Sequence, residues 1–293
     1  MTEESGNYVS DIHDSVYERH FLSKRLDARG LVSDAGRRSE SLNGRWNFGV
    51  DWYDTCRRAN WYRGETLDEA GRERPVDWDW EAWERMKVPS CWNMEREELR
   101  YFEGSGVYTR RFRYFPEIPG ERAFLRFEGA AYRATVFLNG ELLGTHDGAS
   151  TPFCAEITGL AKPDNRIVVV VEARHRADRV PPDNTDWFDY GGIYRDVKLL
   201  RTPPVFIKDW FLRLVPDGTM STIAIDVKAD AGGALIALAA GEARLRIPEL
   251  GIDAAFPVRD GAGSALVPAR PELWSPGDPK LYEVELSLEP AGA

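Results

Sequence analysis

Apolar positions along this chain repeat with a period of two over most of its length. Gly104 to Phe115, GSGVYTRRFRYF, alternates, and Glu121 to Ala130, ERAFLRFEGA, sets Leu125 and Phe127 against Phe124, Arg126 and Glu128. Alternation of this kind puts successive side chains on opposite faces of a half-buried strand. Ala134 to Gly148, ATVFLNGELLGTHDG, carries Asn139-Gly140 between two apolar runs. Asn-Gly accepts the positive φ of a tight turn, so this is the clearest hairpin signal in the chain. Ser41–Asp51 is a strand signal around the Asn43-Gly44 turn pair. Val88–Asn93 reads as a strand end followed by a turn. Phe153–Ile157, Asn165–Ala173 and Asp196–Leu200 add further strands. Within Asn165–Ala173, the run Ile167–Val171 is apolar without a break and reads as a buried strand. About eight strands with short turns and no long helix predict a sandwich or jelly roll.

Two stretches break the pattern. Residues 1 to about 40 are charged and weakly periodic, and read as an irregular arm with one short turn of helix. Residues 52 to 86 hold Trp52, Trp61, Trp78, Trp80 and Trp83 among acids and arginines. They read as a loop with a short helix near Asp79 to Arg85. The acids of DWDWEAWER belong to a charged face over buried tryptophans, not to a catalytic pair.

Thr202-Pro203-Pro204 interrupts the sheet pattern and marks a boundary. Beyond it, Val205–Val215, Ser221–Ala229, Leu235–Leu238, Ala243–Ile247, Ala265–Val267 and Leu281–Leu288 predict six or seven strands in under 90 residues. That is the size and spacing of an immunoglobulin-like sandwich. The Ala/Gly-rich stretch 229 to 243 leaves its register open. The expected organisation is all-β: a jelly-roll domain over residues 1–204, then an immunoglobulin-like β-sandwich over 205–293.

Composition changes this picture little. A net charge of −10 argues against nucleic acid and against an anionic membrane surface. Ten Trp, eleven Tyr and thirteen Phe suit β cores and carbohydrate surfaces alike. Cys56, Cys91 and Cys154 have no metal-like spacing and read as reduced, mostly buried thiols. The start, MTEESGNYVSDIHD, has no apolar leader, and no run approaches ~18 apolar residues. A cytoplasmic protein without metal or other cofactor is the expectation.

The candidate chemistry lies in Pro181 to Val197, PPDNTDWFDYGGIYRDV. The chain leaves a buried strand, makes a long excursion through polar residues and aromatics, and re-enters at Ile193 after Gly191-Gly192. Excursions from a rigid β scaffold are where binding residues gather. Asp183, Asp186 and Asp189 can accept from sugar hydroxyls, and Trp187, Phe188 and Tyr190 can cover a C–H face. A rigid loop with merely buried aromatics explains the same residues.

Six stretches in order resemble the two N-terminal domains of glycoside hydrolase family 2, the β-galactosidase, β-glucuronidase and β-mannosidase group. They are SLNGRWNF, VPSCWN, GVYTRRF, FLNGELLGTHDGASTPF, DWFDYGGIYRDVKL and ELWSPGDPKLYEVEL, spanning roughly residues 40 to 290. The resemblance implies a galactose-binding-like jelly roll followed by the immunoglobulin-like domain. It also implies that catalysis belongs to a third domain, a TIM barrel with two glutamates about 5–5.5 Å apart, acting with retention. The chain stops where that barrel would begin. The Asn-Glu dipeptide of the family's acid/base residue is absent, so no catalytic residue is assigned.

The resemblance carries over one contact, from Asp186 to a sugar hydroxyl at the barrel's mouth. Trp187 and Tyr190 would shape the loop, and Arg195 would pair to hold it. The motif form is closest to the glucuronidase branch, and Arg110, where some galactosidases have Asn, counts against a galactosidase. The implied partner is a β-glycoside, bound through the barrel domain, and a homo-oligomer is possible. A freestanding carbohydrate-binding module and a scaffold built for assembly are the competing readings.

Overall fold

The computed structural model of the chain describes residues 21, 24–26, 33–64, 66–67, 70, 73–74, 80–177, 179–180, 182, 185–186, 190–232 and 240–290. The chain is all-β. Its described helices are two single turns, α1 (Thr55–Arg58) and α2 (Trp92–Glu95), with short 3-10 turns besides. The chain divides into two compact units. One holds Arg37–Glu117 and Arg122–Arg201, and the other holds Ile118–Glu121 and the chain from Thr202 onward.

The first unit has two principal sheets. In chain order its strands are β1 (Arg38–Ser41), β2 (Gly44–Asp51), β3 (Thr66–Leu67), β4 (Glu73–Arg74), β5 (Glu84–Val88), β6 (Ser105–Arg113) and β7 (Arg122–Phe127). Then follow β8 (Arg133–Leu138), β9 (Glu141–Asp147), β10 (Phe153–Glu156), β11 (Asp164–Glu172) and β12 (Val197–Thr202). One sheet runs β1-β12-β7-β10 and the other β5-β2-β6-β11-β8-β9, while β3 and β4 pair separately. The main core joins both sheets: Leu125, Phe127 and Phe153 from one, Trp46, Tyr108, Val136, Ile167, Val169 and Val171 from the other.

β11 explains its own sequence. Ile167, Val169 and Val171 face the main core. Val168 and Val170 face a second cluster formed with Phe21, Cys56, Tyr62, Trp80 and Phe137. Both faces are buried, so the apolar run has no polar alternation. The strand lies inside its sheet, paired with β6 on one side and β8 on the other. The β8–β9 turn is the predicted one: Asn139 and Gly140 have φ of 52° and 85°. Both are left-handed, as a type I′ turn requires.

The expected helix near Asp79–Arg85 is not there. Residues 75–79 lie outside the described residues, and Glu84–Val88 is strand β5, paired with β2. Met86 and Val88 are buried while Arg85 and Lys87 are exposed. That period of two outweighs the helical propensity of the acids and arginines before it. Within the arm read as irregular, Arg25 makes a parallel bridge to Thr145 of β9.

The second unit holds β13 (Phe206–Leu214), β14 (Thr222–Asp230), β15 (Gly241–Ile247), β16 (Ile252–Arg259), β17 (Ala262–Pro268) and β18 (Glu285–Pro290). Their order is β13-β14-β17-β16-β15-β18. β16 and β17 pair only at the hairpin, Val258↔Gly263 and Arg259↔Ala262. Elsewhere the halves β13-β14-β17 and β16-β15-β18 separate. Ile223, Ile225 and Val227 of β14 share one core with Leu245, Ile247, Phe256 and Val258 of β15 and β16. β16 is a strand the sequence reading lacked. Pro257 in mid-run argues against a central strand, since it cannot donate to a ladder. Here it sits opposite Glu242 in a strand that is otherwise fully paired with β15. The strand expected at Leu235–Leu238 lies outside the described residues.

Candidate functional site

The excursion between β11 and β12 is tied at both ends. At its start, the Glu172 and Arg179 side chains are only 4% and 1% exposed, and they pair at 2.8 Å. Arg179 also donates to the Arg174 carbonyl at 2.9 Å and stands 5.1 Å from the Tyr132 ring centroid. Arg57 of α1 approaches Glu172 at 3.8 Å. Next to this pair, Arg174 donates to Asp54 at 2.6 Å, and Ser105 donates to the same carboxylate at 2.6 Å. His175 meets Glu103 at 2.8 Å. The charges that emerge from β11 are thus compensated before the loop begins.

Burial alone would raise the Asp54 carboxyl, but hydrogen bonds from Arg174 and Ser105 hold it below the usual carboxylate range. For Asp147 of β9, burial likewise opposes and Arg133 and Arg25 prevail. A folded pKa below the unfolded one (about 3.9 for Asp) gives stability that is present above about pH 4. It is lost as pH falls through the lower folded value. Urea midpoints should therefore fall between about pH 6 and about pH 3, and Asp54→Asn should flatten that dependence. An unchanged slope in the variant would contradict the assignment.

The end of the excursion is held by α2. The Gly191 amide donates to Asn93 Oδ1 at 2.8 Å, and the Gly191 carbonyl accepts from the Trp92 amide at 3.0 Å. Asn93 is buried, and its amide nitrogen reaches the carbonyls of Leu99, Arg100 and Phe102 at 3.1–3.2 Å. Trp92 lies against both glycines it needs. A Cβ at Gly191 would come within 1.9 Å of its ring, and one at Gly106 within 2.7 Å. Gly192, at φ 134°, bridges Ala131. Trp92 and Asn93 hold the end of the excursion, a role that the sequence reading did not assign them. The VPSCWN stretch was their only signal.

The sequence candidates fall as follows. Asp186 is exposed, and the preceding turn is closed by Thr185, which donates to the Pro182 carbonyl at 3.0 Å. Tyr190 is 48% exposed. Trp187 lies outside the described residues. Arg195 is exposed, donates to the Ser150 carbonyl at 3.1 Å and stands 5.4 Å from the Tyr194 ring. Those contacts hold the 149–150 turn, where the Tyr194 hydroxyl donates to the Ala149 carbonyl at 2.6 Å. At the root of the excursion a cleft of about 620 Å3 is lined by Trp52, Tyr101, Phe102 and Arg174, with acids at its rim. Two of these acids, Glu97 and Glu98, pair with Arg100 and Arg96 at 3.4 and 3.3 Å.

The thiols are quiet. Burial pushes Cys154 up to about 12, and burial raises Cys56 further still. All three cysteines are free. Among the described residues, no helix is long and apolar enough to cross a membrane.

A β-sandwich that projects one pinned acidic and aromatic excursion has the build of a sugar-binding domain. The chain belongs to glycosyl hydrolase family 2: the family model described as the sugar binding domain of these enzymes matches residues 39–203. A β-glucuronidase of Paenibacillus borealis is 26% identical over 278 residues, covering 86% of this chain and 42% of the relative. One from Bacteroides fragilis is 38% identical over 122 residues, covering 40% of this chain and 18% of the relative. Among solved structures, Bifidobacterium dentium β-glucuronidase complexed with coumarin-3-O-glucuronide is similar with a TM-score of 0.68 and 25% identity. That match covers 89% of this chain and 46% of the other. The chain spans less than half the length of the relatives that it matches along most of its own length. It corresponds to the N-terminal region of family 2 β-glycosidases.

Proposed function

We propose that this chain is the non-catalytic, site-shaping portion of a retaining β-glycosidase of the glucuronidase or galactosidase kind. Residues 1–204 act as a galactose-binding-like jelly roll, and residues 205–293 as an immunoglobulin-like sandwich. Asp186 contacts a sugar hydroxyl, and the two glutamates that cleave the bond belong to a barrel domain. The observation that carries this reading is the excursion itself. It is anchored at Glu172–Arg179 and at Asn93–Gly191, and between these anchors it offers Asp186 and Tyr190 to solvent. Such anchoring holds a contact residue in place without a barrel around it, but supplies only part of a sugar's surroundings. Part of a site leaves too little contact to offset the freedom lost on binding. The free thiols fit a cytoplasmic location.

The chain by itself should not turn over 4-nitrophenyl β-glucuronide, β-galactoside or β-mannoside. Measurable turnover would overturn the reading. Joined ahead of a β-glucuronidase barrel, Asp186→Asn should raise KM about tenfold, the loss expected for one hydrogen bond to a charged group. Unchanged kinetics in that fusion would remove Asp186 from the site.

A further inference from the structure

The second unit has an open face that the proposed function does not use. A cleft of about 800 Å3 lies where β13, β14 and β17 meet the β16–β17 hairpin. Its volume is within the range of small-ligand sites. Register sets its floor. Asp226 stands opposite Phe211 on β13 and Ser264 on β17, and Lys228 stands opposite Asp209 and Ala262. Val227, between them, is 2% exposed and faces the core, so Asp226 and Lys228 face outward with their cross-strand partners. Small residues at 262–264 keep the floor low, while Pro257 and Arg259 on β16 border the cleft. Phe211, opposite Asp226, is 60% exposed and turns its ring outward into the cleft, while Trp210, opposite Val227, points to the other face of the strand.

The charges define what fits. Lys228 pairs with Asp209 at 3.4 Å, and Arg213 pairs with Asp226 while its guanidinium lies 5.2 Å from the Phe211 ring centroid. Arg259 is exposed, flanks the Asp260-Gly261 turn, and has no carboxylate partner among the described residues. Paired charges of both signs can accept from and donate to hydroxyls. Exposed rings suit the C–H faces of pyranoses. One unpaired guanidinium is a fork for a carboxylate. A neutral glycan would leave that guanidinium unused, and an apolar ligand would strand the four charges that line the cleft, Asp209, Asp226, Lys228 and Arg259.

We propose that this cleft binds an acidic, uronate-bearing oligosaccharide. Arg259 takes a sugar carboxylate, and Phe211 takes a ring face. The site shares no residue with the Asp186 excursion and does not rest on the proposed function.

The test is titration of the whole chain with tetragalacturonate, followed by amide chemical shifts, with cellotetraose as the neutral control. Saturable shifts confined to residues 209–213, 226–228 and 257–264 are expected with the acidic glycan at up to about 10 mM. Arg259→Gln and Phe211→Ala should each weaken binding about tenfold, and Asp186→Asn should leave it unchanged. Both tested side chains are exposed, and unperturbed amide spectra of the free variants would establish that they fold. Absence of saturable shifts, equal binding of cellotetraose, or shifts that map to the Asp186 excursion would each overturn the proposal. None of these outcomes bears on whether the chain lacks glycosidase activity.

Discussion

Glu172→Gln should lower the stability of the first unit by about 3–5 kcal/mol, the cost of leaving a buried charge without its partner. The side chains of Glu172 and Arg179 are almost wholly enclosed, and the guanidinium has few alternatives. Its other contacts are the Arg174 carbonyl and the face of Tyr132, and neither neutralises it. Arg57 would lose the same carboxylate. Removing both charges together, as Glu172→Gln with Arg179→Met, should recover a large part of the loss, because the penalty belongs to the uncompensated partner and not to the pair. Urea denaturation of the two single variants and the double variant measures this. Additive losses would show that the ends of the excursion do not depend on the pairing.

Trp92→Ala should cost a similar amount, about 3–5 kcal/mol for a large aromatic removed from a packed core. Trp92 is fully buried against Phe48 and Phe102, at centroid distances of 6.1 and 5.9 Å. Its indole N–H donates to the Phe102 carbonyl at 3.2 Å. Loss of the ring would also free the backbone at Gly191. In wild type, Gly191→Ala drives a methyl group into the ring and should destabilise by about 1–3 kcal/mol. In the Trp92→Ala background the same change should cost far less, since the obstacle is gone. That non-additivity identifies the contact by itself. Equal costs in both backgrounds would place the strain elsewhere.

Much of this fold is legible in the sequence because burial on one face imposes a period of two. β15 carries that burial period, β6 and β7 alternate in residue type although β7 is buried on both faces, β8 and β9 are read from the Asn139-Gly140 turn between them, and β11 loses the alternation where both its faces are covered. Reading failed where a local signal opposed the tertiary one. Pro257 concealed β16, and the charged tryptophan-rich stretch before Glu84 suggested a helix where β5 pairs with β2. The excursion was legible as an excursion, from its prolines, short polar residues and paired glycines. What holds it was not. Asn93 and Gly191 lie 98 positions apart, and Arg174 reaches Asp54 across 120. No window of sequence contains both partners of such a contact. Glu172 and Arg179 are near neighbours in sequence, yet their pairing depends on the enclosure given by Tyr132 and α1, which only the folded chain supplies.

Fixing both ends of the excursion has a consequence for how such a domain can change. The chain between Arg179 and Gly191 leaves from one fixed point and returns to another. Lengthening it therefore costs chiefly the entropy of a longer tether, about 0.6 kcal/mol for each doubling. The supporting strands need not shift to accommodate it. On the proposed function, residues can be added, dropped or exchanged between the anchors while the framework that carries them keeps its geometry, so sugar preference can drift at almost no expense to the architecture.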